Sequence, residues 1–155
     1  MQGDVITVEK RIKASPEAIF SLLADASKHP TFDGSGMVKQ AKPGAPQRLE
    51  LGSKFGMGMK LGVNYSTVNT VIEFEENRRI AWQTNSPGIF KNFVAGRIWR
   101  YELEPSDDGT TLVRESWDLS KDHQRMFLRL GPVPKKTGTD MSRTLDRIEE
   151  LVAGS

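Results

Sequence analysis

Apolar residues recur along this chain with two periods, and the places where the period changes mark its elements. In "VITVEKRIKA", residues 5–14, Ile6, Val8 and Ile12 fall on even positions and charges mostly on odd ones, which predicts a half-buried strand with Lys10 as the exception. "SPEAIFSLLAD" then lengthens the period. Ser15 is an N-cap residue, Pro16 sits in the first turn where its missing N–H costs nothing, Glu17 suits the helix N-terminus, and Ile19, Phe20, Leu22 and Leu23 form one apolar face. A second short helical turn is expected near Ser27 to Phe32.

Residues 37–119 read as short strands separated by turn chemistry. "MVKQAK" ends at "PGAP"; "SKFGMGMKL" sets Phe55, Met57, Met59 and Leu61 on one face; "NYSTVNTVIEF" ends at "EENR"; "RIAWQT" ends at "NSPG". After "SPGIFKNFVAG" come "RIWRYELEP", the turn "SDDGT" and "TLVRESWDLS". Six strands with hairpin-length connections predict an antiparallel meander. Helical spacing returns near the C-terminus, where Met141, Leu145, Ile148 and Val152 step by four, three and four and share a face that needs a sheet to cover. The first strand, cut off from the meander by helices, must pair at a sheet edge or close a strongly curved sheet. Such a sheet, wrapped round one long helix, leaves space for a pocket unless bulky side chains fill it.

This order resembles the helix-grip (START-like, SRPBCC) superfamily, which includes lipid-transfer START domains, plant pathogenesis-related proteins and bacterial polyketide cyclase/dehydrase-like proteins. The resemblance covers nearly the whole chain and rests on "ASPEAIFSLLAD", "RRIAWQ", "WRYELEP" followed by "DGTTLVRESWDL", and "TLDRIEELV"; "HPTFDGSGMV" and "LELGSKFGMGMK" are similar to the bacterial cyclase-like branch. It implies an α+β helix-grip fold: a curved, antiparallel, seven-stranded sheet around a long C-terminal helix, with two short helices after the first strand, in one domain over residues 1–155. It also implies a cavity for a hydrophobic small molecule, with chemistry in some members and only binding or transport in others. No metal or nucleotide cofactor follows from it.

Composition narrows this further. The 155 residues suffice for one core, and 37% hydrophobic with 27% charged residues describes a soluble globule rather than a disordered chain. Lys plus Arg exceeds Asp plus Glu by only 22 to 20, with the signs interleaved in "EFEENRRIAW" and "RTLDRIEELV", which argues against nucleic acid as a partner. Absent cysteines remove disulfides, thiol nucleophiles and thiolate metal sites. The longest apolar stretch, "AIFSLLA", is too short to span a bilayer and "MQGDVITVEK" has no signal-peptide core, so a cytoplasmic address is expected.

Candidate chemistry is sparse. "KHPTFDGSGMVK" gathers His29, Asp33 and Ser35, but lacks the spacing of a phosphate loop and precedes a strand where a nucleophile elbow needs a helix. It reads as a turn held by Asp33 with Gly34 and Gly36, leaving His29 near Asp33 as an acid–base pair at a pocket mouth. "GMGMKLG" has Leu61 where a third glycine belongs, so Gly56 and Gly58 read as a bare strand face that bends easily. The last hairpin is richer. If "PSDDGT" is its turn, Arg97, Trp99, Tyr101 and Leu103 share one face with Val113, Glu115, Trp117 and Leu119. Glu115 then lies among aromatics with Arg97 as its expected partner, either as a site, as a structural ion pair or as a carboxylate solvated at the sheet rim. The expected ligand-binding residues are Phe55, Met57, Met59, Tyr65, Trp82, Phe90, Phe93, Trp99, Tyr101 and Trp117; Glu115 and Arg97 are the expected catalytic pair. In "SPGIFKNFVAG", Ile89, Phe90, Phe93 and Val94 read as a flap that closes on the pocket, packs on the terminal helix or meets another subunit in a homodimer.

Three functions follow: binding of a small hydrophobic ligand such as a lipid or polyketide, for transport or sequestration; an aromatase/cyclase or dehydratase using Glu115 as acid or base; and a protein-interaction or stress-response module using the flap. The binder is favoured, because spacing sets no second acid or base beside Glu115.

Overall fold

The computed structural model describes residues 1–44, 48–86 and 95–153. Strand β1 (Val5–Ile12) leads to α1 (Pro16–Leu23), a 3-10 turn (Ala26–Lys28) and α2 (His29–Phe32). Strands β2 (Val38–Ala41), β3 (Lys54–Leu61), β4 (Val63–Glu75), β5 (Arg79–Asn85), β6 (Ala95–Pro105) and β7 (Thr111–Asp118) follow, then α3 (Arg125–Leu128) and α4 (Val133–Val152). The seven strands form one antiparallel sheet in the order β1-β7-β6-β5-β4-β3-β2. The meander is therefore continuous, and β1 takes the edge beside β7, with Val8 opposite Glu115. This is the open curved sheet with a long C-terminal helix that the sequence predicts.

Local chemistry explains the boundaries. Ser15 accepts from the Ala18 amide at 3.2 Å with Pro16 opening α1, as an N-cap should. Asn77, at φ 62°, makes the left-handed turn between β4 and β5. A register shift between Val71 and Glu73 leaves Ile72 as the extra residue and returns Phe74 to the core side, against Phe20. The face of β3 at Gly56 and Gly58 is not bare: the side chains of Lys42 and Gln40 lie over it.

Met141, Leu145, Ile148 and Val152 are all buried, so α4 covers the concave face as its spacing predicts. Lys10, the charged exception on the inner face of β1, reaches α4 and pairs with Asp146 at 2.6 Å and Glu149 at 3.2 Å. The "DGSG" turn fastens to the same helix. A side chain at Gly34 would put its Cβ 2.2 Å from the Asp140 carbonyl oxygen, and the Gly34 amide donates to Thr144 Oγ1 at 2.8 Å. The short α3 has no apolar period to betray it; Leu128 is its one partly buried apolar anchor.

Candidate functional site

Strand register builds the site as two rows across the concave face. One row runs Ile6, Trp117, Trp99, Trp82 and Val71 on β1, β7, β6, β5 and β4. The next runs Val8, Glu115, Tyr101 and Ile80. The rings touch along and between these rows: Trp99 and Trp117 have centroids 6.1 Å apart, Trp82 and Tyr101 5.6 Å, Phe55 and Trp82 5.8 Å. Met57 is buried and Met59 half-buried at the far side of the sheet.

Glu115 is 2% exposed, and its Oε1 accepts from the Tyr101 hydroxyl at 2.9 Å. Among the described residues its Oε2 has no hydrogen-bond partner, nor has the indole Nε1 of Trp117 two residues on, which shares the same face of β7. Loss of water raises the Glu115 carboxyl to about 8; the Tyr101 bond opposes this and the field of Asp33 adds to it. The carboxyl is therefore neutral at pH 7. Burial, and then the nearby Glu115, hold the Tyr101 hydroxyl well above the usual tyrosine range.

Arg97 lies elsewhere than expected. In this register Tyr101, not Arg97, faces Glu115, and Arg97 sits four residues back along β6. Its Nε donates to Asp122 Oδ2 at 3.0 Å, and Asp122 is fully buried. Gly96, at φ 106°, makes this possible: its absent Cβ would fall 2.4 Å from the Lys121 carbonyl, so the backbone carrying Asp122 lies against the strand. Among the described residues Glu115 is thus an acid without a basic partner, and Arg97 and Asp122 form a separate lock.

His29 is not at a mouth. Its ring is 5% exposed, stacks on Trp82 at 4.7 Å and 24°, and meets Phe55 edge-on at 5.2 Å. Nε2 donates to the Leu23 carbonyl at 2.9 Å, and burial lowers the ring to about 4, so it stays neutral. The Asp33 carboxylate instead holds its own turn, accepting from Ser35 Oγ at 2.7 Å and the Val38 amide at 3.1 Å. Its charge still reaches the face, raising Glu115, Tyr101 and Tyr65. Tyr65, half-buried, is raised chiefly by burial, against the pull of Arg97.

A polar stripe went unread in the sequence. Thr67, Asn69 and Thr84 are buried on the concave face; Thr84 Oγ1 donates to Asn69 Oδ1 at 2.7 Å, and Asn69 Nδ2 to the Phe55 carbonyl at 3.2 Å. The alternation Tyr65, Thr67, Asn69, Val71 held the signal. Phe90 and Phe93, and with them the flap, lie outside the described residues.

Against known proteins, a family model described as "Polyketide cyclase / dehydrase and lipid transport" matches residues 4–153. Among solved structures, a START superfamily protein from Mycobacterium smegmatis superposes with a TM-score of 0.72 at 19% identity, covering 97% of each chain. Protein CV1439 from Chromobacterium violaceum does so with a TM-score of 0.69 at 14% identity, over 98% of this chain and 99% of that one. Uncharacterized protein Rv0088 of Mycobacterium tuberculosis is 33% identical over 107 residues, 68% of this chain and 43% of its own length. The matched stretch thus spans less than half of that relative. Among the described residues no helix is long and apolar enough to cross a membrane.

Proposed function

The chain belongs to the polyketide cyclase/dehydrase and lipid transport family, and within it we propose that this protein binds a small hydrophobic molecule carrying a hydrogen-bond acceptor, between the sheet and α4. One observation carries the reading: Glu115 Oε2 and Trp117 Nε1 are buried, on one strand face and, among the described residues, unpartnered. A buried polar group left unpaired costs about 1–3 kcal/mol, and a ligand that reaches both removes that cost. Residues two apart on a strand face are separated by about 7 Å, within the span of one small molecule. With Glu115 protonated, both free atoms are donors, so the complementary ligand atom is a carbonyl, carboxylate or phenol oxygen. Trp82, Trp99, Phe55, Met57, Met59 and Tyr65 supply the apolar wall, and Arg97 with Asp122 closes its polar end.

Titration with fatty acids and polycyclic phenols tests this. Saturable quenching of tryptophan emission by one class is expected; no response from either class overturns the reading.

A second reading, an acid–base enzyme of the cyclase or dehydratase kind, is favoured by the same carboxyl. At about 8, Glu115 is poised to give and take a proton near neutrality, with Tyr101 orienting it. Glu115→Gln keeps the shape and removes the proton. A product formed by the native protein and lost at least a hundredfold in the variant supports catalysis; ligand binding with no Glu115-dependent product leaves binding alone.

A further inference from the structure

The end of the sheet beside Trp117 and Arg97 carries apolar side chains that the fold leaves in water. Leu128 and Val133 pack on the cluster of Trp117, Leu119 and Met141 and so pin α3 in place. Beside that anchor Met126, Phe127 and Leu130 are 70%, 73% and 66% exposed. The tip of the β3–β4 hairpin adds Leu61 and Val63, at 65% and 71%. Strand pairing sets both features at one end, because the Leu61–Val63 turn, the Asn85–Ala95 pair and the Val5–Asp118 pair all close the same side of the antiparallel sheet.

Charge is gathered at the same place. Residues 120–136 hold five of the 22 basic residues and one of the 20 acidic ones, which leaves 17 against 19 in the rest of the chain. That one anion, Asp122, is buried against Arg97. Arg129 is paired with Asp4 and Lys136 with Asp140, whereas among the described residues the Arg125 guanidinium has no carboxylate partner and donates to the Ser120 carbonyl. Lys121 and Lys135 are exposed. An otherwise slightly acidic protein thus presents one cationic segment around one exposed Met-Phe-Leu group.

We propose that this end docks on an anionic lipid bilayer, with Met126, Phe127 and Leu130 entering the interface and Lys121, Arg125, Arg129 and Lys135 lying over the headgroups. Lys and Arg near an anionic leaflet and apolar side chains at the acyl boundary are the two attractions that hold peripheral proteins to membranes. A second copy fits less well, since a two-fold contact through this segment sets its cations against each other. Three side chains on one short turn also offer little of the roughly 800 Å² per partner that a stable protein interface uses, whereas a bilayer plane can meet α3 and the hairpin tip together. The proposal deepens the ligand-binding reading, because docking sets the tryptophan end of the concave face toward a source of hydrophobic ligands.

The test is co-sedimentation of the full chain, without added ligand, with phosphatidylcholine vesicles and with vesicles that also contain phosphatidylserine. Binding is expected only to the anionic vesicles and is expected to weaken with salt. Phe127→Ser with Leu130→Ser, exposed positions whose change leaves the core intact, is expected to weaken it by roughly tenfold or more, and Arg125→Gln by roughly fivefold. No anionic preference, or equal binding by the double variant, overturns the proposal. So does concentration-dependent self-association that the double variant abolishes, which assigns the patch to a second copy. Because no ligand is present, a negative ligand titration and a negative sedimentation are separate results.

Discussion

The two ends of the concave face are built from the same sheet and the same helix, yet they are filled differently. At the end covered by α1 and the C-terminal half of α4, Ile12, Ile19, Phe20, Leu23, Ile80, Val113, Leu145 and Ile148 are fully buried and wholly apolar. At the other end a smaller cluster of Trp117, Leu119 and Met141 has, among the described residues, partly buried apolar neighbours, Ile6, Leu128 and Val133 among them. Trp99 packs on both clusters. Among the described residues the two unpartnered buried side-chain atoms belong to residues of β7, Trp117 in the second cluster and Glu115 on the row beside it. The difference teaches where this fold keeps its stability and where it tolerates cost. A domain whose net stability is only about 5–15 kcal/mol can hold two unsatisfied polar atoms because the first end is complete without them.

The sharpest way to break this comparison is to cut into the complete end. Leu145→Ala removes a fully buried side chain from the α4 seam and is expected to cost about 2–5 kcal/mol, read as a lower denaturant midpoint with unchanged slope. A midpoint within error of the native one means that α4 does not seal this end. Next in size is Gly34→Ala. Its Cβ would stand 2.2 Å from a backbone oxygen of α4, so the turn must back away from the helix, at a cost of about 1–3 kcal/mol. Since the displaced atom is main chain, neighbouring side chains cannot absorb the clash.

The comparison also marks how far the sequence was legible. Period and turn chemistry were enough for the order of elements, the β2–β7 meander, the Ser15 cap and the buried face of α4, because each depends on residues close in sequence; the pairing of β1 with β7, one of two places left open for that strand, does not. Alternation likewise placed Glu115 among Trp99, Tyr101 and Trp117, since side chains on a strand must repeat every two residues. What failed depended on register and on close approach. Arg97 was matched to Glu115 by shared face alone, whereas the ladder gives that carboxyl to Tyr101 and the backbone over Gly96 delivers Asp122 to Arg97. His29 went wrong for a similar reason: sequence set it beside Asp33, but α2 turns its ring onto Trp82, more than fifty residues away. The exposed group on α3 was missed because one inward leucine makes no period.

A pH series separates the two buried titratable groups of this face, Glu115 and His29, without disturbing packing. Glu115 rises from 4.5 to about 8 on folding, so its contribution to stability is complete below pH 4.5 and is lost as pH climbs toward 8. His29 is lowered from 6.5 to about 4, so its contribution is present above pH 6.5 and is lost as pH falls toward 4. The two oppose each other between pH 4.5 and 6.5, and above 6.5 only Glu115 acts. Between pH 6.5 and 8 the native protein is expected to lose about 1 kcal/mol, and Glu115→Gln is expected to remove that loss. An equal slope in both proteins would mean that Glu115 is hydrated and ionised.

The smallest expected change in stability is the most informative about function. Trp117→Phe removes the unpartnered indole N–H together with part of a buried ring. Lost packing destabilises, whereas removal of an unsatisfied donor stabilises, each by about 1–3 kcal/mol, so the midpoint is expected to move by less than about 1 kcal/mol. Ligand affinity is under no such compensation. If the indole N–H meets an acceptor on the bound molecule, deleting it costs that hydrogen bond, about 0.5–1.5 kcal/mol, or roughly two- to tenfold in Kd. The reading is broken if the variant loses several kcal/mol of stability while its affinity is unchanged, because Trp117 would then be a core residue like those at the complete end. Stability held and affinity lost would instead separate the two ends of the face by what each is for.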